Sequence, residues 1–130
     1  MSIRLLVVDD SPVMRKVIQR AVEVSGLPVS DCLTAEHGKA ALSLLRQETI
    51  DLMLLDMNMP EMGGEELVRQ LQNRPANQQV PFIVISADAT ATRMQEMLSL
   101  GALAYIPKPF DAGTLRSEMT KALEQMHVNN

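Results

Sequence analysis

The feature that most limits what this chain can fold into is an alternation of short apolar runs with segments of helical periodicity, repeated five times along the chain. The runs at residues 5–8, 52–55 and 82–85 are uniformly apolar, as expected for strands that are buried on both faces. Strands that alternate with helices of this length predict a parallel sheet with right-handed crossovers and helices on both sides. We therefore predict an α/β fold with three layers.

The five units can be placed along the chain from their boundary signals. The second predicted strand alternates between apolar and polar residues and therefore suits a sheet edge, and we expect the strand order 2-1-3-4-5, with ligands at the carboxyl ends of strands 1 and 3. The predicted strands are 3–8, 29–35, 50–56, 80–87 and 102–106, and the predicted helices are 11–26, 36–48, 65–74, 90–101 and 112–126.

The first helix has the clearest boundaries. Ser11 followed by Pro12 is typical of a helix N-cap with proline at the first helical position, and Gly26 supplies the stop. The apolar residues of this segment that fall at helical spacing, and so form its expected apolar face, are Val13, Val17, Ile18 and Ala21.

Composition narrows the possible partners. The chain has 130 residues, 46% of them hydrophobic, which fits one globular domain over residues 1–130 with no output domain. A net charge of −4 and three aromatic residues argue against nucleic acid and anionic membranes as partners. No apolar run approaches the length of a signal peptide or a membrane span, so we expect a cytoplasmic protein without membrane insertion. The lone cysteine, Cys32, is expected to be a small buried hydrophobe.

Polar residues with reactive groups follow four of the predicted strands. Asp9 and Asp10 follow the first strand, Asp56 the third, Ser86 ends the fourth and Lys108 follows the fifth. In a parallel sheet these residues meet at one edge, where adjacent carboxylates need a compensating cation. Carboxylate oxygens suit Mg²⁺, which commonly binds phosphate as well, and a carboxylate can accept a phosphoryl group. The sequence therefore predicts phosphoryl chemistry at this edge.

Four segments together resemble a known family. The segments "VVDDS", "LLDMNMPEMGG", "VISA" and "KPF", in this order and at these separations, are similar to the receiver domain of two-component response regulators. The resemblance covers essentially the whole chain and implies the flavodoxin-like, CheY-like (βα)₅ fold. It also implies that Asp56 is the phosphoacceptor. Asp10 would bind Mg²⁺ directly and Asp9 through water, with Asp56 and the backbone carbonyl of Asn58 completing the protein ligands; Mn²⁺ could substitute.

The resemblance assigns further roles at matching positions. Lys108 would pair with a phosphoryl oxygen, and its peptide bond to Pro109 would be cis. Ser86 and Tyr105 would form the switch, Ser86 by following the phosphoryl group and Tyr105 by turning inward. Asn58 and Asp88 would set how fast the phosphoryl group is lost. Plain packing remains an equal explanation for Tyr105.

Other residues could suggest additional sites. The methionines near the third strand are expected to fill the core, and a metal or phosphotransfer role is not expected for either histidine. These residues are Met53, Met57, Met59, Met62, His37 and His127. The output face of helix 4, strand 5 and helix 5 would carry Met94, Met97, Leu98, Ala104, Tyr105, Leu115 and Glu118.

The functional prediction is a phosphorylation-activated switch that assists its own phosphorylation and dephosphorylation but is not otherwise an enzyme. Its partners would be a sensor histidine kinase or phosphotransfer protein and a downstream protein that binds the output face. We expect a monomer, which could dimerise on phosphorylation, and a stand-alone regulator of the chemotaxis type.

Two other functional interpretations remain open, and a third is excluded. The chain could be a receiver domain excised from a longer regulator or hybrid kinase. A haloacid-dehalogenase-like phosphatase is less favoured, because that family has a second aspartate where this chain has Asn58. A P-loop enzyme is excluded, because the sequence contains no glycine-rich loop that ends in Lys-Ser or Lys-Thr.

Overall fold

A computed structural model describes residues 2–57, 59, 62–75 and 79–128, without the side chains of residues 127 and 128. Within these residues, five strands and five helices alternate, as predicted. The strands are β1 (Ile3–Val8), β2 (Val29–Ala35), β3 (Leu52–Leu55), β4 (Phe82–Ser86) and β5 (Tyr105–Pro107). The helices are α1 (Pro12–Ser25), α2 (Gly38–Gln47), α3 (Gly64–Gln72), α4 (Ala91–Ser99) and α5 (Ala112–Val128).

The strands form one parallel sheet in the order β2-β1-β3-β4-β5, which confirms the predicted topology. Val8, the last residue of β1, pairs with Leu55, the last residue of β3. Asp9 and Asp56 therefore leave the sheet at the same level. At the far side, Ser86 of β4 pairs with Pro107 of β5, one residue before Lys108. The register thus brings the candidate residues to the carboxyl edge of the sheet.

Alternate residues of the strands pack into two core layers, one on each face of the sheet. On one face, β1 and β3 pack against α2, α3 and α4, and the layer includes Leu6, Val8, Ala41, Met53, Leu67, Val68 and Met97. On the other face they pack against α1 and α5, and the layer includes Leu5, Val7, Ile18, Val22, Leu54, Leu115 and Met119. Burial on both faces explains why the central strands are uniformly apolar.

Helix α1 begins as predicted but is rotated relative to the expected apolar face. The Ser11 hydroxyl accepts a hydrogen bond from Met14 N, and Gly26 ends the helix in the left-handed region with φ of 77°. The expectation for Val13 and Val17 is wrong, because these side chains are 70% and 47% exposed. The buried positions of α1 are Ile18 and Val22, while Met14 and Ala21 are partly buried beside them.

Other expectations divide between confirmed and corrected. The methionine prediction is confirmed for Met53, Met57 and Met62, which are buried, and Met59 is partly buried against the same core layer. The expectation that the whole output face is exposed is wrong. Four of its members are buried in the core: Met97, Ala104, Tyr105 and Leu115. Leu98 is 43% exposed and does lie at the surface of α4. Among the helices of the described residues, none is both long and apolar enough to cross a membrane.

Candidate functional site

Three carboxylates come together at the carboxyl edge of the sheet. Asp9 and Asp10 follow β1, and Asp56 follows β3, and one oxygen of each lies within 4.8 Å of the others. Asp9 and Asp56 are buried, with exposed fractions of 1% and 6%, whereas Asp10 is exposed. We define Asp9, Asp10 and Asp56 as the acidic cluster. Burying negative groups this close together is unfavourable without cations beside them.

Lys108 supplies one such cation. Its Nζ lies 2.9 Å from Asp9 Oδ2 and 3.8 Å from Asp56 Oδ2. Its backbone N–H donates to the Ser86 carbonyl oxygen over 2.8 Å, which fixes the start of its side chain beside β4. The peptide bond between Lys108 and Pro109 is cis, as the resemblance implied. Lys108 therefore neutralises part of the charge of the two buried carboxylates.

The two adjacent aspartates have different surroundings. Asp9 Oδ2 accepts from Lys108, and Asp9 Oδ1 accepts from the backbone N–H of Ser11 over 2.9 Å. Asp10 is exposed, and no hydrogen bond or ion pair of its carboxylate is found within the described part of the chain. Asp9 is thus held by protein groups through both oxygens, whereas Asp10 faces solvent. The Asp10 carboxylate is therefore the more accessible of the two.

The acidic cluster fits a small divalent cation. Its three side chains offer only carboxylate oxygens, the hard ligands that Mg²⁺ prefers, and they approach one another closely enough for a single ion. Asn58, the predicted carbonyl ligand, lies outside the described residues. Its two predicted roles, as a metal ligand and in setting the rate of dephosphorylation, therefore stay predictions. The described donors are therefore suited to Mg²⁺ by their chemistry and their spacing.

The hydroxyls of Ser86 and Tyr105 meet at Asp88 rather than at the acidic cluster. The fully buried Ser86 Oγ accepts from the backbone N–H of Asp88 over 3.1 Å, and the Tyr105 hydroxyl donates to the Asp88 carbonyl oxygen. The Tyr105 side chain is already inside the protein, with 7% of the residue exposed. Asp88 therefore joins the end of β4 to β5.

The side chain of Asp88 is bonded to the start of α4. Its Oδ1 accepts from Thr90 N over 3.0 Å and from Thr90 Oγ1 over 2.8 Å. These two hydrogen bonds hold the pKa of the Asp88 carboxyl below its usual range. Thr90 in turn caps α4 by accepting from Arg93 N. Sequence reasoning missed Thr90, although a threonine before a helical segment is a common N-cap signal.

Two glycines that sequence reasoning treated only as parts of a loop or a helix allow close backbone approaches, one of them against Asp56. A Cβ at Gly64 would lie 2.5 Å from the Asp56 carbonyl oxygen, and Gly64 N donates to the Met57 carbonyl oxygen over 3.2 Å. A Cβ at Gly38 would lie 2.6 Å from Cγ of Met62, whose carbonyl oxygen accepts from Gly38 N. Only glycine fits such approaches. The glycine pair that precedes the predicted helix 65–74 was the available signal for the first.

Arg15 is a further residue that the sequence did not single out. Its Nη1 donates to the Asp9 carbonyl oxygen over 2.8 Å. That carbonyl belongs to the peptide between the two adjacent aspartates, so Arg15 holds the backbone from which both carboxylates project. Its position one turn into α1 gives no local signal for this contact.

Neither Cys32 nor His37 is a member of the acidic cluster. Cys32 is half-buried on β2, and burial, with a smaller effect of Glu23, raises the pKa of its thiol to about 11. The thiol is therefore unreactive near neutral pH. His37 is the N-cap of α2, where its Nδ1 accepts from Ala40 N over 3.1 Å.

Comparisons with known proteins agree with the fold and indicate its family. The family model for the response regulator receiver domain matches residues 5–120. The chain is 35% identical over 121 residues to a chemotaxis protein CheY homolog of Campylobacter jejuni, covering 92% of each chain. It is also similar to the Francisella response regulator 1452 receiver domain, with 27% identity, a TM-score of 0.83, and coverage of 96% of this chain and 99% of that one.

A third relative is longer than this chain. The response regulator MprA of Mycolicibacterium vanbaalenii is 33% identical over 125 residues, which are 96% of this chain but 52% of that protein. The same kind of domain is therefore found in chains of this length and as part of longer ones. The matched family model, the relatives and the sheet order together show that the chain belongs to the response regulator receiver domain family, of the CheY-like type.

Proposed function

We propose that this receiver domain is a phosphorylation switch and that Asp56 is its phosphoacceptor. The observation that supports this most directly is the position of the Asp56 carboxylate, which is nearly buried at the end of β3 beside Asp9 and 3.8 Å from Lys108 Nζ. A carboxylate in this setting can act as a nucleophile toward phosphorus while neighbouring cations offset the charge of the transferring oxygens.

The donor would be the phosphohistidine of a sensor kinase or a phosphotransfer protein. A carboxylate oxygen of Asp56 forms a bond to phosphorus as the phosphorus–nitrogen bond breaks. The electron pair of that bond stays with the imidazole nitrogen, which then takes up a proton. The product on Asp56 is an acyl phosphate, and later attack by water releases inorganic phosphate and restores the carboxylate.

The residues around Asp56 would bind the metal ion, pair with the phosphoryl group and hold the backbone of the site in place. Asp9, Asp10 and Asp56, with the carbonyl of Asn58, would hold Mg²⁺. The bound ion supplies positive charge that offsets the carboxylates and the transferring oxygens. Lys108 would pair with a phosphoryl oxygen. Arg15 keeps the backbone of the two adjacent aspartates in place through the Asp9 carbonyl.

The signal would pass from Asp56 to the surface of α4, β5 and α5. Ser86 would turn toward the phosphoryl oxygens and give up the hydrogen bond from Asp88 N, which would alter the segment that Asp88 shares with Tyr105 and α4. A downstream protein would bind the altered surface, which includes the exposed Leu98. By similarity to the chemotaxis relatives, we propose a stand-alone regulator of that type. A receiver within a longer regulator remains the alternative, given the length of the third relative.

The decisive experiment replaces the acceptor. The wild-type protein, incubated with Mg²⁺ and acetyl phosphate, should gain one phosphoryl group by intact mass, and hydroxylamine should remove it as expected for an acyl phosphate. Asp56→Asn should gain none, because an amide is not a nucleophile toward phosphorus. Asp31→Asn, which changes an exposed carboxylate of β2, should behave like the wild type. Phosphoryl uptake by Asp56→Asn would remove the assignment.

The lifetime of the acyl phosphate gives a second test. We propose that Asn58 and Asp88 set the rate at which water attacks. Asp88→Lys should change the rate of dephosphorylation measured after the phosphodonor is removed. An unchanged rate would contradict the role of Asp88. Turnover of small phosphomonoesters by the wild-type protein would instead favour a phosphatase.

A further inference from the structure

Helix α3 begins directly against the backbone of the proposed phosphoacceptor. Gly64 is the first residue of α3, and a Cβ there would lie 2.5 Å from the Asp56 carbonyl oxygen and 3.0 Å from Met57 Cα. Gly64 N also donates to the Met57 carbonyl oxygen. Backbone atoms packed this closely cannot move independently. A displacement of the Asp56 backbone would therefore also displace the start of α3.

The next residue of α3 joins this helix to α4. Glu65 Oε1 lies 3.0 Å from Arg93 Nη1 of α4, and Glu65 Oε2 lies 3.2 Å from Arg69 Nη2 of the same helix as Glu65. Hydrogen bonds from Arg93 and Arg69, in that order, hold the pKa of the Glu65 carboxyl below its usual range. The Arg93 side chain is 23% exposed, so this inter-helix pair is partly shielded from water. Shielding makes it stronger than a pair in open solvent.

Arg93 lies in the first turn of α4. The same end of the helix is also bonded, through Thr90, to Asp88 at the end of β4. The backbone N–H of Arg93 donates to Thr90 Oγ1 over 3.3 Å, and Thr90 is bonded to Asp88 as described above. Its guanidinium reaches Glu65 on one side and Glu96, within α4, on the other at 3.0 Å. The first turn of α4 is therefore held both by the end of β4 and by the start of α3.

We propose that Glu65 and Arg93 are positioning residues that form a second link between Asp56 and α4, separate from the link through Ser86 and Tyr105. The inference rests on the proposed function and adds to it a route by which phosphorylation is sensed at α4. Phosphorylation replaces the single negative charge of the Asp56 carboxylate with the about −1.5 to −2 charges of a phosphoryl group, which also carries more oxygens. A resulting shift of the Asp56 backbone displaces Gly64, and the ion pair carries that displacement to the first turn of α4.

The test measures amide hydrogen exchange of residues 91–99 with and without Mg²⁺ and acetyl phosphate, with intact mass reporting phosphoryl uptake in each sample. In the unmodified protein, Arg93→Gln should speed exchange in the first turn of α4 by about two- to fivefold, the range expected for losing one partly exposed pair. When Arg93→Gln is phosphorylated, the change in its α4 exchange should be at most about half the change that phosphorylation causes in the wild-type protein.

Two matched controls separate the inter-helix pair from a loss of charge. Arg69→Gln removes the same charge and a partner of Glu65 but leaves the pair with Arg93 in place. Glu96→Gln removes only the contact of Arg93 within α4. Both should respond to phosphorylation as the wild type does, and Arg93→Lys, which keeps a cation for Glu65, should recover most of the response.

A double-mutant comparison completes the test. If the two residues act through each other, Glu65→Gln and the double variant Glu65→Gln/Arg93→Gln should match Arg93→Gln in their α4 response. Normal phosphoryl uptake with an undiminished response in Arg93→Gln, or an equal loss in Arg69→Gln, would overturn this inference and leave the proposed function standing. Absence of uptake by the wild-type protein would overturn the proposed function and the second link with it.

Discussion

At the amino edge of the sheet Arg4 contacts three carboxylates, and at the carboxyl edge Lys108 lies beside the acidic cluster. At the amino edge each carboxylate has its own donor: Arg4 Nε reaches Asp31, Nη2 reaches Glu48, and the backbone N–H of Arg4 reaches Asp51. The Asp31 and Glu48 side chains are 58% and 40% exposed. Water and separate donors thus balance the charges at this edge.

The carboxyl edge differs in burial and spacing. The Asp9 and Asp56 side chains are 2% and 8% exposed, and both lie beside the same ammonium group. Their oxygens and one of Asp10 fall within 4.8 Å of one another. The crowded carboxylates of the acidic cluster would be stabilised by a further cation. The carboxylates at the amino edge are stabilised by separate donors and by water. A cation among carboxylates therefore does not mark a site by itself; crowding and burial of the carboxylates do.

The largest expected difference between the edges concerns phosphoryl transfer. Lys108→Met should slow phosphoryl uptake from acetyl phosphate by about 10²–10³-fold, because it removes a charge aimed at the transferring oxygens. Arg4→Met removes the same charge at the other edge and should leave the rate unchanged. Rates come from intact mass against time at saturating Mg²⁺. Equal slowing in the two variants would show that net charge, and not the site, controls the reaction.

A smaller difference is expected in metal binding. Mg²⁺ should raise the thermal unfolding midpoint of the wild-type protein, since a ligand that binds the folded state stabilises it. Asp10→Asn should weaken Mg²⁺ binding by more than about tenfold, because the neutral amide is a poorer ligand. Asp31→Asn should leave the Mg²⁺ titration unchanged. A midpoint indifferent to Mg²⁺ and to a chelator would remove the metal site.

At the amino edge the expected effect is on stability alone. Arg4→Met should lower the free energy of unfolding modestly, and the difference from wild type should shrink as salt is added, because the lost pairs are partly exposed to solvent. Urea unfolding at two ionic strengths measures this. A loss that is independent of salt would mean that Arg4 acts through packing.

The smallest effect tests whether every carboxylate at the carboxyl edge belongs to the site. Asp111 Oδ1 accepts from Thr114 N over 2.7 Å, which holds the pKa of this exposed carboxyl below its usual value of 3.8. Because the folded-state pKa is the lower one, the stabilisation is present above the unfolded value and is lost as the pH falls through the folded value. Asp111→Asn should therefore flatten the acid limb of the stability profile and leave phosphoryl uptake unchanged. Reduced uptake would place Asp111 in the site.

The order of elements, the sheet topology and the positions of the site residues at the strand ends could be predicted from the sequence. Uniform apolar runs identified the central strands, and each run that was followed by Asp or Lys pointed to the carboxyl edge. The strand bounds were less accurate: the third strand was predicted over 50–56 and forms Leu52–Leu55, because the prediction included Ile50, Asp51 and Asp56, which flank the apolar run but lie outside the paired residues.

Other features were decided by the tertiary structure. Helical spacing placed Val13 and Val17 on the same apolar face as Ile18, but the packing of α1 against the sheet and α5 buried Val22 together with Ile18 and left the two valines exposed. The sequence also could not show that Gly64 lies against the Asp56 carbonyl or that Glu65 meets Arg93, 28 residues away.

The two adjacent aspartates show where this division falls. The sequence by itself determined that both leave β1 at the edge where phosphoryl chemistry was predicted. Only the tertiary structure gave Asp9 a buried pairing with Lys108, 99 residues away, and left Asp10 exposed. The physical reason is that local periodicity fixes which elements form and in what order. The rotation of each helix and the partner of each charge depend instead on contacts between segments far apart in the chain.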